Sequence, residues 1–268
     1  MQSRCGQTRL LLCGLGLLVA LAGCAADVPQ GGAGGTAGTS DVAAPASGRE
    51  AMNLRLARAA RNAGDINGAV QLYRSLTDGR SPVPQACIEL GDILADSGMF
   101  DEAIDVYGHV DPASALGLAA QLGALRAHFQ LGEPAKALEF ADRARALAPR
   151  DPRVLIDRGA VLDALQRHDE AQADYQAAIQ IAPRNVAARN NLALSLAFVG
   201  KYDEALAIMV PLARSGSATP RVRQNLALIF GLSGDTDQAT AMGRNDLDEP
   251  SAAANGDFYT WVRGNKPQ

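Results

Sequence analysis

The sequence predicts an all-α solenoid of about six helix-turn-helix units, and three observations carry that prediction. A register of 34 residues runs from Glu50 without insertion, so that Pro84, Leu118, Pro152, Val186 and Pro220 open the later blocks. Position 20 of every block is alanine: Ala69, Ala103, Ala137, Ala171, Ala205 and Ala239. The chain is 47% hydrophobic but only 4% aromatic, so Ala and Leu must do the packing, as in an Ala-rich helical protein and not a β-sandwich.

Within a block the expected order is a first helix (A), a tight turn, a second helix (B) and a stop. Position 8 holds Ala57, Gly91, Leu125, Gly159, Ala193 and Ala227. Small residues there and at position 20 let the two helices approach, while larger ones at 7, 11 and 24 fill the remaining space. Position 15 holds Gly64, Gly98, Gly132, Gln166, Gly200 and Gly234, and glycine suits a left-handed turn ending helix A. Position 18 holds Asn67, Asp101, Ala135, Asp169, Asp203 and Asp237, a cap or first-turn residue for helix B. Pro149 and Pro183, both at position 32, stop helix B before the next block. The pattern weakens at His128 (position 11), Arg158 (position 7) and Gln166, which predicts looser packing in the middle blocks. Gly243 and Asp246 depart from it in the last block, and Asp257 to Val262 (DFYTWV) is expected to fold over that end as a cap.

The period, the small residues at 8 and 20 and the glycine at 15 resemble the tetratricopeptide repeat (TPR). That resemblance implies a right-handed superhelix whose inner surface, made mainly by A helices, binds partners. Positions 2, 5, 9, 12 and 13 usually line that surface in TPR proteins. Here they nominate a partly apolar groove of Leu54, Ile88, Leu122, Phe129, Ile156, Asn190, Leu194, Phe198, Gln224 and Leu228, suited to an extended or helical peptide. The carboxylate clamp of chaperone-binding TPR proteins wants Lys at 5 and Asn at 9, and it is absent.

The N-terminus sets the compartment. Arg4 and Arg9 precede an uncharged run from Leu10 to Ala22, the layout of a secretory signal. The run is too short for a spanning helix, which needs about 20 apolar residues, and Gly14, Gly16 and Gly23 interrupt it. Leu21-Ala22-Gly23-Cys24 resembles a bacterial lipobox, which implies cleavage before Cys24 and its acylation. Two or more acyl chains make anchoring stable. Ala25 after the cysteine, in place of Asp, points to the outer membrane facing the periplasm. Residues 25–49 are rich in Gly, Ala, Ser, Thr and Pro with no apolar period, hence a flexible tether whose ends lie on the order of 25–30 Å apart. The expected organisation is a signal peptide (1–23), a lipidated tether (24–49), six repeats (50–83, 84–117, 118–151, 152–185, 186–219, 220–253) and a C-terminal cap or tail (254–268).

Chemistry-bearing motifs are scarce. The formal charge of −4 gives no excess of Lys and Arg to neutralise phosphates, so no nucleic-acid partner is expected. Beyond the signal only Cys24 and Cys87 remain, and His109, His128 and His168 lie 19 and 40 residues apart, so no metal site is expected. Gly231-Leu-Ser-Gly234 lacks the spacing of a nucleophile elbow and falls at the end of a helix A. GGAGG at 31–35 has neither strand before nor helix after it and reads as linker. Cys87 reads as a small buried hydrophobe. No catalytic residue and no cofactor are expected, and the chain reads as a non-enzyme.

One stretch is more particular. TPRVRQNLALIFGLSGDTDQATAMGRNDL (219–247), followed by SAAANGDFY and joined to the lipobox, resembles the TadD family of lipoproteins of the tight-adherence (Flp) pilus machinery. That resemblance implies an outer-membrane accessory protein, pilotin-like, whose partner is the pilus secretin or another component of the same machinery. The competing reading is a periplasmic TPR adaptor for envelope enzymes such as peptidoglycan hydrolases. A periplasmic enzyme with an unrecognised site is a third.

Overall fold

The computed structural model describes residues 48–78, 81–216 and 218–243. The signal peptide, the lipobox with Cys24, the tether up to residue 47 and the DFYTWV cap lie outside the described residues. Among the described residues every regular element is helical, and twelve helices form six pairs. They are α1 (Gly48–Asn62), α2 (Ile66–Thr77), α3 (Pro84–Asp96), α4 (Phe100–Gly108), α5 (Gly117–Gln130), α6 (Pro134–Leu147), α7 (Pro152–Ala164), α8 (His168–Ile181), α9 (Val186–Phe198), α10 (Tyr202–Ala213), α11 (Pro220–Ser233) and α12 (Thr236–Gly243). No described helix is long and apolar enough to cross a membrane.

The described residues divide between two compact units, one holding α1–α6 and the other α7–α12, with the break between Pro149 and Arg150. Within each unit consecutive helices pack in order, and first helices also touch: α3 meets α5, α7 meets α9, and α9 meets α11. The alanines of position 20 explain the close pairing, since all six are 0% exposed. Any larger side chain there would hold helix B away from helix A. Tyrosine at position 24 has a matching reason. A Cβ added at Gly159 would lie 2.5 Å from the Tyr175 ring, and Gly91 and Gly123 press still closer on Tyr107. The absent Cβ atoms make the slots in which these rings lie.

The turn after helix A is built alike in every pair. Gly64, Gly98, Gly132, Gly200 and Gly234 have φ between +74° and +102°, and Gln166 takes φ +62° in the same place. The backbone bonds are matched as well. Gly98 N–H donates to Ala95 O and Met99 N–H to Leu94 O at 2.8 Å. Gln166 N–H donates to Asp163 O and Arg167 N–H to Leu162 O at 2.9 Å. A side chain in this conformation costs roughly 1–2 kcal/mol, and the turn is kept nonetheless. Helix starts are fixed by Pro84, Pro134, Pro152 and Pro220 in the first turn and by side-chain caps from Asp65, Asp151, Asn185 and Thr219. The acidic residues at position 18 lie inside the first turn of helix B, where Asp101, Asp169 and Asp203 complement the helix dipole.

At His128 and Arg158 themselves the expected looseness is not observed. His128 and Arg158 are each only 9% exposed, and both are held by partners described below. Polar side chains at those positions bring their own hydrogen bonds inside.

Candidate functional site

The ten groove candidates separate by burial. Ile88, Leu122, Phe129, Ile156, Asn190 and Leu194 are all buried, between 2% and 9% exposed. Leu54 packs partly buried against the core of the first unit, and Leu228 is half-buried. Phe198, at 44%, and Gln224 are exposed. The physical reason is that an inner helix A can have four neighbours: its own helix B, the helix B before it and the first helices on either side. Ile156 illustrates it, clustering with Leu155, Ala178 and Ala188 from three successive helices. The six buried side chains are therefore packing residues in this structure and do not line an open groove. Phe198 and Gln224 are the candidates of the row that present surface.

Polar side chains take up much of the space where helices A meet, in arrangements that spacing did not reveal. In the first unit Glu89, buried on α3, is the hub. Arg58 Nε lies 3.0 Å from both its oxygens, Tyr73 Oη donates at 2.7 Å and Gln85 Nε2 at 2.7 Å. Burial alone would push the Glu89 carboxyl up, but the bonds from Arg58, Tyr73 and Gln85 outweigh it and hold it below the ordinary range. Burial, then Glu89 itself, pushes the Tyr73 hydroxyl up to about 12. A carboxyl depressed on folding stabilises the fold fully above its unfolded value of about 4.3, and that stabilisation is lost as pH falls through the lower folded value. Glu89→Gln is therefore expected to flatten the acid limb of stability against pH below about 4.3. Acid unfolding followed by circular dichroism checks this; an unchanged limb would remove Glu89 as its source.

In the second unit the hub is Asp163, on α7. Ser195 Oγ donates to its Oδ1 at 2.7 Å, His168 Nδ1 lies 2.8 Å from the same oxygen, and Tyr175 Oη donates to Oδ2 at 3.0 Å. Gln172 Nε2 reaches Ser195 Oγ at 3.4 Å. Burial pushes the Asp163 carboxyl up, against the bonds from His168, Ser195 and Tyr175. Serine, histidine and aspartate are the residue types of a nucleophilic triad, but the wiring differs. Ser195 gives its proton to the carboxylate, whereas a nucleophile must give it to the imidazole, and Ser195 is 0% exposed. The cluster joins α7, α8 and α9 and does not present a nucleophile.

Two further polar links complete that unit. Arg158 Nη1 donates to Asp174 Oδ2 at 2.6 Å, with side chains 11% and 5% exposed. Asn225 Nδ2 donates to Asn190 Oδ1 at 2.8 Å, and Asn190 Nδ2 to Asn191 Oδ1 at 3.1 Å, tying α11 to α9. In the first unit Tyr107 Oη donates to Asp92 Oδ1 at 2.7 Å, and His128 Nδ1 lies 2.8 Å from Glu133 Oε2 with its ring stacked on Phe140.

The remaining sequence candidates have structural places. Cys87 is 0% exposed, and burial pushes its thiol up to about 11, away from reactive thiolate character. His109 is exposed at the end of α4. Gly231 and Ser233 lie in α11, and Gly234 is its left-handed cap. Among the described residues no group of three or more His, Cys, Asp or Glu could hold a metal ion.

Comparison with known proteins follows the same lines. Four family models, each described as a tetratricopeptide repeat, match residues 54–115, 118–161, 152–173 and 165–249. An uncharacterized protein, y4yS, of Sinorhizobium fredii is 38% identical over 71 residues, 26% of this chain and 39% of that one. The cellulose synthase 2 operon protein C of Komagataeibacter xylinus is 31% identical over 166 residues, 61% of this chain but 12% of that one. The chain thus spans well under half the length of either relative. Among solved structures, a thermophilic TPR protein of Thermus thermophilus superposes with TM-score 0.57 at 21% identity, covering 67% of this chain and 100% of that one. A tetratricopeptide repeat protein of Parabacteroides merdae gives 0.63 at 14%, covering 81% and 87%. MamA of Desulfovibrio magneticus gives 0.58 at 15%, covering 64% and 99%. These likenesses show the fold, and the repeat models, the six helix pairs and the shared turn agree with it: the chain belongs to the tetratricopeptide repeat family.

Proposed function

We propose that the protein is a scaffold that binds a partner protein, held at the outer membrane by an acylated Cys24, and that it assists assembly or localisation of the tight-adherence pilus secretion machinery. One observation carries the binding part. Ser195 with Asp163 and Asn225 with Asn190 spend their polar groups on each other between first helices, while Phe198 and Gln224 stay exposed on first helices. Such a surface can hold a peptide but has no group placed to transform it. The anchor rests on Leu21-Ala22-Gly23-Cys24, and the pilus role on the resemblance of residues 219–247 to the TadD lipoproteins. The match to part of a cellulose synthase operon protein is compatible with an accessory role beside other envelope machinery. An adaptor for peptidoglycan hydrolases is the second reading, since the same surface and anchor would serve it.

A photo-crosslinker placed at Phe198 or Gln224 in living cells tests both parts. Capture of a secretin or a neighbouring pilus component from the membrane fraction is expected, and loss of that capture in Cys24→Ala as the protein leaves the membrane. Normal secretin multimers after deletion of the protein would defeat the pilus reading. Hydrolases captured in the secretin's place would move it to the second.

A further inference from the structure

The first unit begins on a helix whose outer face is apolar and uncovered. Met52 and Leu56 of α1 are 54% and 48% exposed, and Ala59, the next residue of the same stripe, is exposed as well. They hold positions 3, 7 and 10 of the repeat register. The same positions are Ala86, Leu90 and Ile93 in α3 and Val222, Leu226 and Ile229 in α11. In these two helices, and in α5 and α9, no residue at the three positions is more than 7% exposed. Each of those four helices packs on the helix B before it: α2, α4, α8 or α10. Among the described residues no helix comes before α1. Its stripe is therefore one half of a repeat seam, at an end where a solenoid ordinarily turns a polar face outward.

The charges beside the stripe are of one sign. Arg49 and Arg55 stand three residues to either side of Met52, its neighbours on the helix surface. Both are exposed, and among the described residues neither has an ion-pair partner. Arg49 lies in the first turn, where a cation opposes the helix dipole, so α1 itself gains nothing from it. Glu50 is two positions from Met52, which puts it on the other side of the helix. Arg58 is spent on Glu89.

We infer that this face receives an amphipathic helix of another protein, its apolar stripe flanked by aspartate or glutamate, lying where a preceding helix B would lie. The bare positions are those that a helix B covers in the other blocks, so their shape calls for a helix. The unpaired arginines beside them call for carboxylates on it. The chain's own segments fit less well. Residues 25–47 are rich in Gly, Ala, Ser, Thr and Pro with no apolar period. The last block of a second copy offers Asp246 at position 27, where the other five blocks have Leu76, Val110, Ala144, Ala178 and Leu212, all buried. Two copies joined α1 to α1 would crowd both pairs of arginines around one stripe. The face belongs to the first unit and Phe198 and Gln224 to the second, so the inference goes beyond the function proposed above.

The test uses the full chain and stapled helical peptides of about 14 residues, followed by NMR at the Met52 and Leu56 methyls and by fluorescence anisotropy. Each peptide carries one stripe of leucine and alanine, flanked by glutamate in the first and by lysine in the second. A third has the first one's composition with the stripe scrambled. The glutamate peptide is expected to shift those methyls and to bind at least about tenfold more tightly than the lysine peptide, with the gap narrowing at high salt. The scrambled peptide should bind no better than the lysine one. Met52→Gln with Leu56→Gln alters only exposed side chains and should weaken the glutamate peptide about tenfold. Arg49→Glu with Arg55→Glu should reverse the preference, so that the lysine peptide becomes the tighter. No shift up to the solubility limit, equal affinity of any two of the glutamate, lysine and scrambled peptides with the glutamate one among them, or a preference unmoved by the arginine exchange would each overturn the assignment. So would a dimer in sedimentation that dissociates in Met52→Gln with Leu56→Gln, since a second copy would then be the occupant. None of these results touches the crosslinking from Phe198, so the two readings fail separately.

Discussion

Replacing Arg158 with leucine is expected to destabilise the second unit by about 3–5 kcal/mol, because it removes the ion-pair partner of a carboxylate in the core. Asp174 is 3% exposed and faces Arg158 at 2.6 Å. Leucine fills similar space but supplies no charge and no donor. Burying one ion of a pair without its partner is far costlier than burying neither. The double replacement Arg158→Leu with Asp174→Leu is therefore expected to recover most of the loss. Native-state hydrogen exchange at α7 and α8 reads this locally, which matters in a chain of stacked repeats that need not unfold as one. A single-variant cost under about 1 kcal/mol, the level of an exposed pair, would show that the bridge is not acting as a buried one.

Tyr107→Ala should cost a similar amount by another mechanism. The ring is 3% exposed and fills the slot between Gly91 on α3 and Gly123 on α5. Removing it empties a space bounded by backbone, which collapses poorly, and large aromatic truncations of this kind cost about 3–5 kcal/mol. Tyr107→Phe separates packing from polarity. It keeps the ring but takes the hydroxyl from Asp92, at a cost of about 1–2 kcal/mol. Burial already pushes the Asp92 carboxyl up, and the Tyr107 bond opposes that push. In Tyr107→Phe the Asp92 carboxyl should therefore titrate higher than in the parent, a shift visible by side-chain carboxyl NMR. Loss of the α3–α5 exchange protection in Phe as well as Ala would instead make the hydroxyl, not the ring, the main support.

How much of this was legible differs by residue. The turn could be read directly, because glycine at position 15 names a backbone conformation, and only Gln166 hid it. The position 20 alanines were equally plain, since nothing larger fits between two touching helices. Phe129 and Ile156 were not separable from groove residues in the sequence. An apolar side chain on helix A has the same signature whether it meets the next repeat or open space, and only the third dimension tells them apart. Asp163, His168 and Ser195 escaped notice because their separations of 5 and 32 match no helical ligand spacing. A signal was present: positions 10 and 12 of adjacent blocks are neighbours across the seam, so polar residues at both invite a bond. Arg158 was legible only as a break in the pattern, and its partner 16 residues on turns that break into a buried link.

The bonds between repeats have one more consequence. Arg58 reaches Glu89 across 31 residues, Ser195 reaches Asp163 across 32, and Asn225 reaches Asn190 across 35. Each tie closes as soon as one further repeat has arrived, and none of these waits for the far end of the chain. Short sequence separation of this kind makes ordering fast and local. A polypeptide emerging end-first from a ribosome or a translocation pore could then lock its seams in order of appearance, each finished pair serving as the template on which the next one settles.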